Sequence, residues 1–244
     1  MSGGLFYHLG RKVAPGVRKA RWLWGSMTAT DSELVRLEHD VGVDLACQAR
    51  EQLQLDADPE VAEAVRAVGM RLAEKVANKQ RSFRFEMFAA DEPNAFALPG
   101  GFVFVSRPIV MLSEGNRDEL AFVLGHEMGH IISGHAIERI VANSAVSMAS
   151  RATAVRGPLA GWLRRVGVQF LETAYSRDHE LEADRLGVRL LAAAGYDPQA
   201  SVRLLGRLAE LKAASAPSDL GEYFSTHPTF EMRIRSIRQY LQRR

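Results

Sequence analysis

The chain has 244 residues, 47% of them hydrophobic and 25% charged, and a formal net charge of +2. That balance belongs to an ordinary globular protein and excludes a disordered or collagenous chain, and the single cysteine, Cys47, leaves no intrachain disulfide to form. The charge is unevenly spread: residues 1–30 hold Arg11, Lys12, Arg18, Lys19 and Arg21 and no acid, whereas the rest has 26 basic and 29 acidic residues.

Residues 1–30 read as a basic N-terminal arm. Apolar and aromatic residues, Trp22 and Trp24 among them, interleave with the cations, and Pro15-Gly16 splits the segment in two. The arm lacks the long apolar core of a secretory leader, and no apolar run approaches the roughly 20 residues that span a bilayer. The expectation is a cytoplasmic protein whose arm makes peripheral contact with an anionic membrane through its tryptophans and cations. Residues 31–244 are expected to form the folded domain.

Thr30-Asp-Ser-Glu33 has the form of a capping box and opens a helix to about residue 54. Cys47 is expected as a small buried residue of that helix. Asp58-Pro59 opens a second helix, with Val61, Val65, Met70, Leu72 and Val76 at roughly helical spacing to about residue 78. The period then switches. Phe83, Phe85 and Met87 alternate with Arg84 and Glu86, the mark of a half-buried strand. Asn94 to Leu98 is another extended piece, Pro99-Gly100-Gly101 a turn, and Phe102 to Val105 a β-rich run. Asn116-Arg-Asp-Glu119 caps a long helix running through residue 140. A loop and a short helix are expected over 151–175. Ser176 caps a helix that ends at Gly195, and Asp197-Pro198 caps the next, to about Ala214. Residues 215–219 form a linker, and a last helix follows His227-Pro228. The fold class is α+β, mostly helical, with a small sheet over about 82–106.

His126-Glu127-Met128-Gly129-His130 lies on the long helix, among apolar neighbours that make the helix a buried one. Histidines at i and i+4 share a face and reach one metal ion, and two imidazoles suit Zn2+. Glu127 is displaced from the ligand line toward the ion's open side, where a general base is needed. A catalytic site requires a third protein ligand. A histidine six residues past His130 would follow a glycine at 133, but Ser133 and Ala136 stand in those places. His135, five residues past His130 and about 140° round the helix, is poorly placed to ligate and reads as a histidine packed in the core or against a ligand. Glu180-Leu-Glu-Ala-Asp184 supplies the alternative. Glu180 can ligate, and Asp184, on the same face, can accept a hydrogen bond from a ligand histidine's other nitrogen. Glu182 lies about 200° from Glu180 and points elsewhere. The bland alternative for this segment is an ion-paired helix, with Arg177, Asp178, Arg185 and Arg189 as partners.

Three segments together resemble the family of zinc endopeptidases that contains the Ste-type CAAX prenyl proteases, the HtpX stress proteases and the BepA- and Oma-type quality-control proteases: residues 94–105, 126–135 and 176–184. Ser225-Thr-His-Pro-Thr229 with Arg233-Ile234 is similar to the family's late segment. The resemblance spans about residues 35–240 and is nearest the soluble BepA/Oma-like branch. It implies a zincin-like fold of the gluzincin type, with the small sheet packed on the HExxH helix. It implies one Zn2+ per chain on His126, His130 and Glu180, Asp184 orienting a ligand, and peptide hydrolysis by a zinc-activated water with Glu127 as general base. The substrates implied are unfolded or damaged polypeptides. His227 or Arg233 would donate to the oxyanion, or His227 would close the ion's open position as a lid. Asn94, Ala95 and Phe96 would begin an edge strand that pairs with extended substrate, or a plain core hairpin. Tyr175 packs in the core or touches substrate. A competing reading is a non-enzymatic chaperone-like or membrane-surface module with a structural zinc, against which the intact Glu127 argues. The acidic body and the lack of a binding motif argue against nucleic acid.

Overall fold

The computed structural model describes residues 31–56, 58–139, 174–214, 226–227 and 230–243. The basic arm, the loop and short helix expected over 151–175 apart from Ala174 and Tyr175, and the 215–219 linker lie outside the described residues.

The elements are helices α1 (Asp31–Gln52) and α2 (Pro59–Ala73), strands β1 (Arg84–Phe88), β2 (Ala95–Leu98) and β3 (Phe102–Ser106), then helices α3 (Arg107–Leu112), α4 (Arg117–Ile132), α5 (Arg177–Ala194), α6 (Ala200–Ala214) and α7 (Phe230–Gln242). The fold is thus α+β and mostly helical, as the sequence predicts. β3 is the middle strand, parallel to β1 and antiparallel to β2. The β2–β3 reversal runs through Gly100 and Gly101, at φ 74° and 100°, the left-handed region that glycine enters without penalty. A Cβ on Gly101 would also sit 1.7 Å from the Ser82 carbonyl oxygen, so no larger residue fits there.

Strand alternation splits the core into two clusters on opposite faces of the sheet. Phe88, Phe96, Leu98, Phe102 and Phe104 pack on Leu45, Ala46 and Ala49 of α1. Phe85, Met87, Ala95, Ala97, Val103 and Val105 pack toward α2, α4 and α5. α4 is buried on all sides from Glu119 to Ile131, so it is the central element of the fold. Asn116 Oδ1 caps it by accepting from the Asp118 and Glu119 N–H groups. The Glu119 carboxylate does not reach back to the cap. It faces Arg203 and Arg207 of α6.

Four details differ from the sequence expectations. α2 ends at Ala73, because the Lys75 and Val76 N–H groups turn back to the Leu72 and Ala73 carbonyls. α4 stops at Ile132, because Gly134 takes φ 74° and a new helical turn starts at His135. α6 begins at Ala200 after a turn in which Asp197 Oδ1 accepts from the Gln199 N–H. Cys47 is exposed: Leu45, Ala46 and Ala49 occupy the inward face of α1 and turn residue 47 outward. Among the described residues, no helix is long and apolar enough to cross a membrane.

Candidate metal centre

α4 and α5 cross with their backbones almost touching. Gly125 and Gly129 of α4 face Gly187 and Ala183 of α5, and a Cβ on Gly129 would lie 2.7 Å from the Ala183 carbonyl oxygen. Gly129, inside the HExxH motif, is therefore what lets α5 bring Glu180 to the two histidines. Ser176 fixes the start of α5, its Oγ accepting from the His179 N–H at 3.2 Å.

The Nε2 atoms of His126 and His130 stand 3.2 Å apart. Glu180 Oε1 lies 3.3 Å from His130 Nε2, and Glu180 Oε2 lies 3.6 Å from His126 Nε2. His227 enters from outside the two helices, with Nδ1 2.9 Å from Glu180 Oε1 and 3.3 Å from His126 Nε2. All four residues are buried, and one ligand atom from each lies within 4.8 Å of the others. Three imidazole nitrogens and a carboxylate oxygen converging on one point suit a tetrahedral Zn2+.

Asp184 and Arg233 surround this set. Asp184 Oδ1 is 2.9 Å from His126 Nδ1 and accepts a hydrogen bond from the Nδ1–H, which turns Nε2 toward the centre. Arg233 is wholly buried and grips Asp184 through Nε and Nη2, at 2.9 and 2.7 Å, while Nη1 lies 2.9 Å from Glu180 Oε2. Burial alone would raise both carboxyls. For Glu180 the charges of His227, Arg233 and His126 outweigh it and hold the group well below the usual carboxylate range. For Asp184 those of Arg233 and His126, with a hydrogen bond from each, lower it. Burial holds the His130 imidazole well below its ordinary value, so it is neutral, the form that ligates. The Glu127 carboxylate is fully buried and neither oxygen has a hydrogen-bond partner, His227 Nε2 standing 3.6 Å from Oε1.

His126, His130, Glu180, Asp184, His227 and Arg233 thus meet at one place, with Glu127 beside them. Asn94, Ala95 and Phe96 do not join it. They sit at the start of the outer strand β2, where Asn94 exchanges backbone and Oγ contacts with Ser106. Ala95 and Ala97 of β2 pack in the same cluster as Leu124 and Met128 of α4.

His135 packs against a ligand, as its sequence reading has it, though by a route a helical wheel does not show, and Tyr175 is a neighbour that the sequence does not mark. The break at Gly134 swings His135 back, so its Nδ1 lies 3.1 Å from His130 Nδ1, where a continuous helix would have carried it away. Beyond it, His135 stacks on His179 with centroids 4.1 Å apart. Glu182 points outward as expected, taking the Ser133 hydroxyl at 3.0 Å and approaching His135 Nε2 at 3.5 Å. Tyr175 lies flat on His130, centroids 3.7 Å apart. Its phenol is raised from the ordinary value by burial, with the Glu127 and Glu180 charges adding and Arg139 opposing. The Ser-Gly pair after the motif was a signal for the His135 break. No local pattern marks the Tyr175 stack.

Comparison with known proteins agrees with this centre. The model of peptidase family M48 matches residues 59–241. The mitochondrial metalloendopeptidase OMA1 of Schizosaccharomyces pombe is 38% identical over 153 residues, covering 61% of this chain and 44% of that protein. The OMA1 of Arabidopsis thaliana is 32% identical over 157 residues, covering 64% of this chain and 31% of that protein. The beta-barrel assembly-enhancing protease of Escherichia coli strain K12 is 31% identical over 209 residues, covering 78% of this chain and 41% of that protein. The chain therefore spans less than half the length of each of these relatives. M48 peptidases are zinc-dependent, so the ion this cluster fits is zinc. With its two-histidine helix, its glutamate helix and a family match running through both, the chain belongs to peptidase family M48.

Proposed function

We propose that the chain is a zinc metalloendopeptidase that hydrolyses peptide bonds of unfolded or damaged polypeptides, with Glu127 as the general base. The observation that carries this is the Glu127 carboxylate, fully buried and without a hydrogen-bond partner one residue from a ligand histidine. Burying a carboxylate without a partner is costly, and a purely structural site has no use for one. Bound zinc supplies a Lewis acid for the scissile carbonyl and brings the pKa of a water down to about 7. Glu127 takes the proton of the attacking water and returns it to the amine nitrogen as the C–N bond breaks. Asp184 keeps His126 in its ligating tautomer, and Arg233 fixes the carboxylates of Asp184 and Glu180. Among the described residues, β2 pairs with a strand on one side only. An extended substrate backbone added along Asn94, Ala95 and Phe96 would be held by its main chain and not by its side chains, which suits unfolded polypeptides of mixed sequence.

The test is cleavage of casein by purified, zinc-loaded protein against its Glu127→Gln variant. A wild type without Glu127-dependent cleavage of any unfolded substrate ends this reading. The competing module with a structural zinc draws on one feature, the presence of a fourth donor. We read His227 instead as a latch on the position that substrate needs. His227→Ala is then expected to raise casein cleavage severalfold, measured as initial rate. Complete loss of cleavage would assign His227 to the oxyanion.

The basic arm bears on location. We infer a cytoplasmic enzyme held at an anionic membrane surface through residues 1–30. Removing these residues is expected to abolish cosedimentation with anionic liposomes and to leave peptide hydrolysis within about twofold. Loss of hydrolysis would make the arm part of the catalytic fold.

A further inference from the structure

Tyr175 is 95% buried, at 5% exposure, and its hydroxyl has no hydrogen-bond partner. A buried donor left unpaired is costly, so it persists where something other than the resting protein uses it. Its surroundings are those of the metal centre. One face of the ring lies on His130, at 3.7 Å between centroids and 15° between planes. The Arg139 guanidinium stands 4.1 Å from the same centroid and, with His130 already stacked, can only occupy the opposite face. The His227 ring centroid is 5.6 Å away. The Tyr175 N–H donates to the Thr226 carbonyl at 3.2 Å, tying the residue to the segment that carries His227. The ring is thus clamped on both faces and its backbone anchored, while the hydroxyl is left over. The two oxygens of Glu127, at the same centre, are likewise buried and without a hydrogen-bond partner.

The donors named from sequence for the oxyanion are otherwise engaged. Arg233 grips Asp184 and approaches Glu180, and His227 lies within the ligand set. We propose that Tyr175 is a catalytic residue whose hydroxyl donates a hydrogen bond to the carbonyl oxygen of the scissile peptide as that oxygen becomes negative. The inference rests on the peptidase reading. As the water oxygen bonds to the carbonyl carbon, the π pair moves onto the carbonyl oxygen and the water proton passes to Glu127. The Tyr175 O–H points its dipole at the new negative charge and keeps its proton throughout. When the C–N bond breaks, its pair goes to nitrogen with the proton from Glu127, the oxygen pair re-forms the C=O, and the hydrogen bond relaxes.

Tyr175→Phe keeps the ring, both stacking contacts and the backbone bond, and removes only the hydroxyl. The expected result is a kcat on an unfolded peptide substrate lower by about 10²–10³-fold, the scale of losing one oxyanion donor. KM should stay within about threefold, with zinc content unchanged and Tm held or slightly raised, since a buried unpaired donor is removed. The second readout is calorimetric affinity for a phosphinic peptide, whose tetrahedral phosphorus oxygens imitate the reacting centre. That affinity is expected to fall about 10-fold or more, while affinity for a product peptide is unchanged. An unaltered kcat, a rise in KM alone, or equal loss of affinity for both peptides overturns the assignment. If wild type cleaves in a Glu127-dependent way and Tyr175→Phe is fully active, this inference alone fails. If wild type cleaves nothing, the peptidase reading fails and takes the inference with it.

Discussion

Glu127→Gln is expected to lower kcat/KM on casein by about 10²–10⁴-fold and to leave the protein folded and zinc-loaded. Glutamine matches the volume of the carboxylate but cannot take a proton. The four candidate donors are His126, His130, Glu180 and His227, so the ligand set is untouched. The Tm should hold or rise slightly, since the substitution removes a buried charge with no hydrogen-bond partner. Rate, metal content by elemental analysis and Tm by calorimetry check the three parts together. A variant that loses zinc along with activity would show that Glu127 holds the ion, and a variant that keeps its activity would leave the general base elsewhere.

The other large effect is on stability. Arg233→Met is expected to destabilise the metal-free protein by about 3–5 kcal/mol, the usual result of removing one partner from a buried ion-paired group. For a chain of this size that corresponds to a Tm lower by roughly 6–20 °C. Arg233 is wholly buried and faces two buried carboxylates, Asp184 and Glu180. Methionine refills most of the volume and none of the charge, so the loss is electrostatic and not a cavity effect. Arg233→Lys restores the charge without the planar fork and should recover part of the Tm. The measurement is thermal unfolding in the presence of a chelator. A shift under about 2 °C would mean that the carboxylates find other partners or become protonated, and that Arg233 does not hold them.

Much of this centre is readable from local spacing. His126 and His130 at i and i+4, and Glu180 and Asp184 at i and i+4, each define one face of one helix, and helical periodicity needs no knowledge of the rest of the chain. The alternation of Phe83, Phe85 and Met87 did the same for β1. The failures occur where a local period is interrupted or where packing decides. His135 does pack against a ligand as expected, but it reaches His130 because the helix is broken at Gly134, a route that a helical wheel does not show. Val76 keeps the apolar rhythm of α2 past its end because it is still buried in the following turn, at 5% exposure. Cys47 was expected inside because small residues suit a core, but its direction is set by which face of α1 meets the sheet. The Tyr175 stack on His130 joins chain segments far apart in sequence, so no window along the chain contains it.

The glycine contact between α4 and α5 bears on how such a protein can diverge. Most cores drift by exchanging side chains of similar volume, each neighbour giving by a few tenths of an ångström. At Gly129 there is no side chain to exchange, because main chain meets main chain, and the distance from the histidine pair to Glu180 is set by atoms that every residue type shares. Substitution can therefore reshape what surrounds the centre, the outer strand and the segments that approach it, far more readily than the centre itself. Chains that handle different polypeptides can inherit the same fixed pair of helices and vary only in what is placed against them.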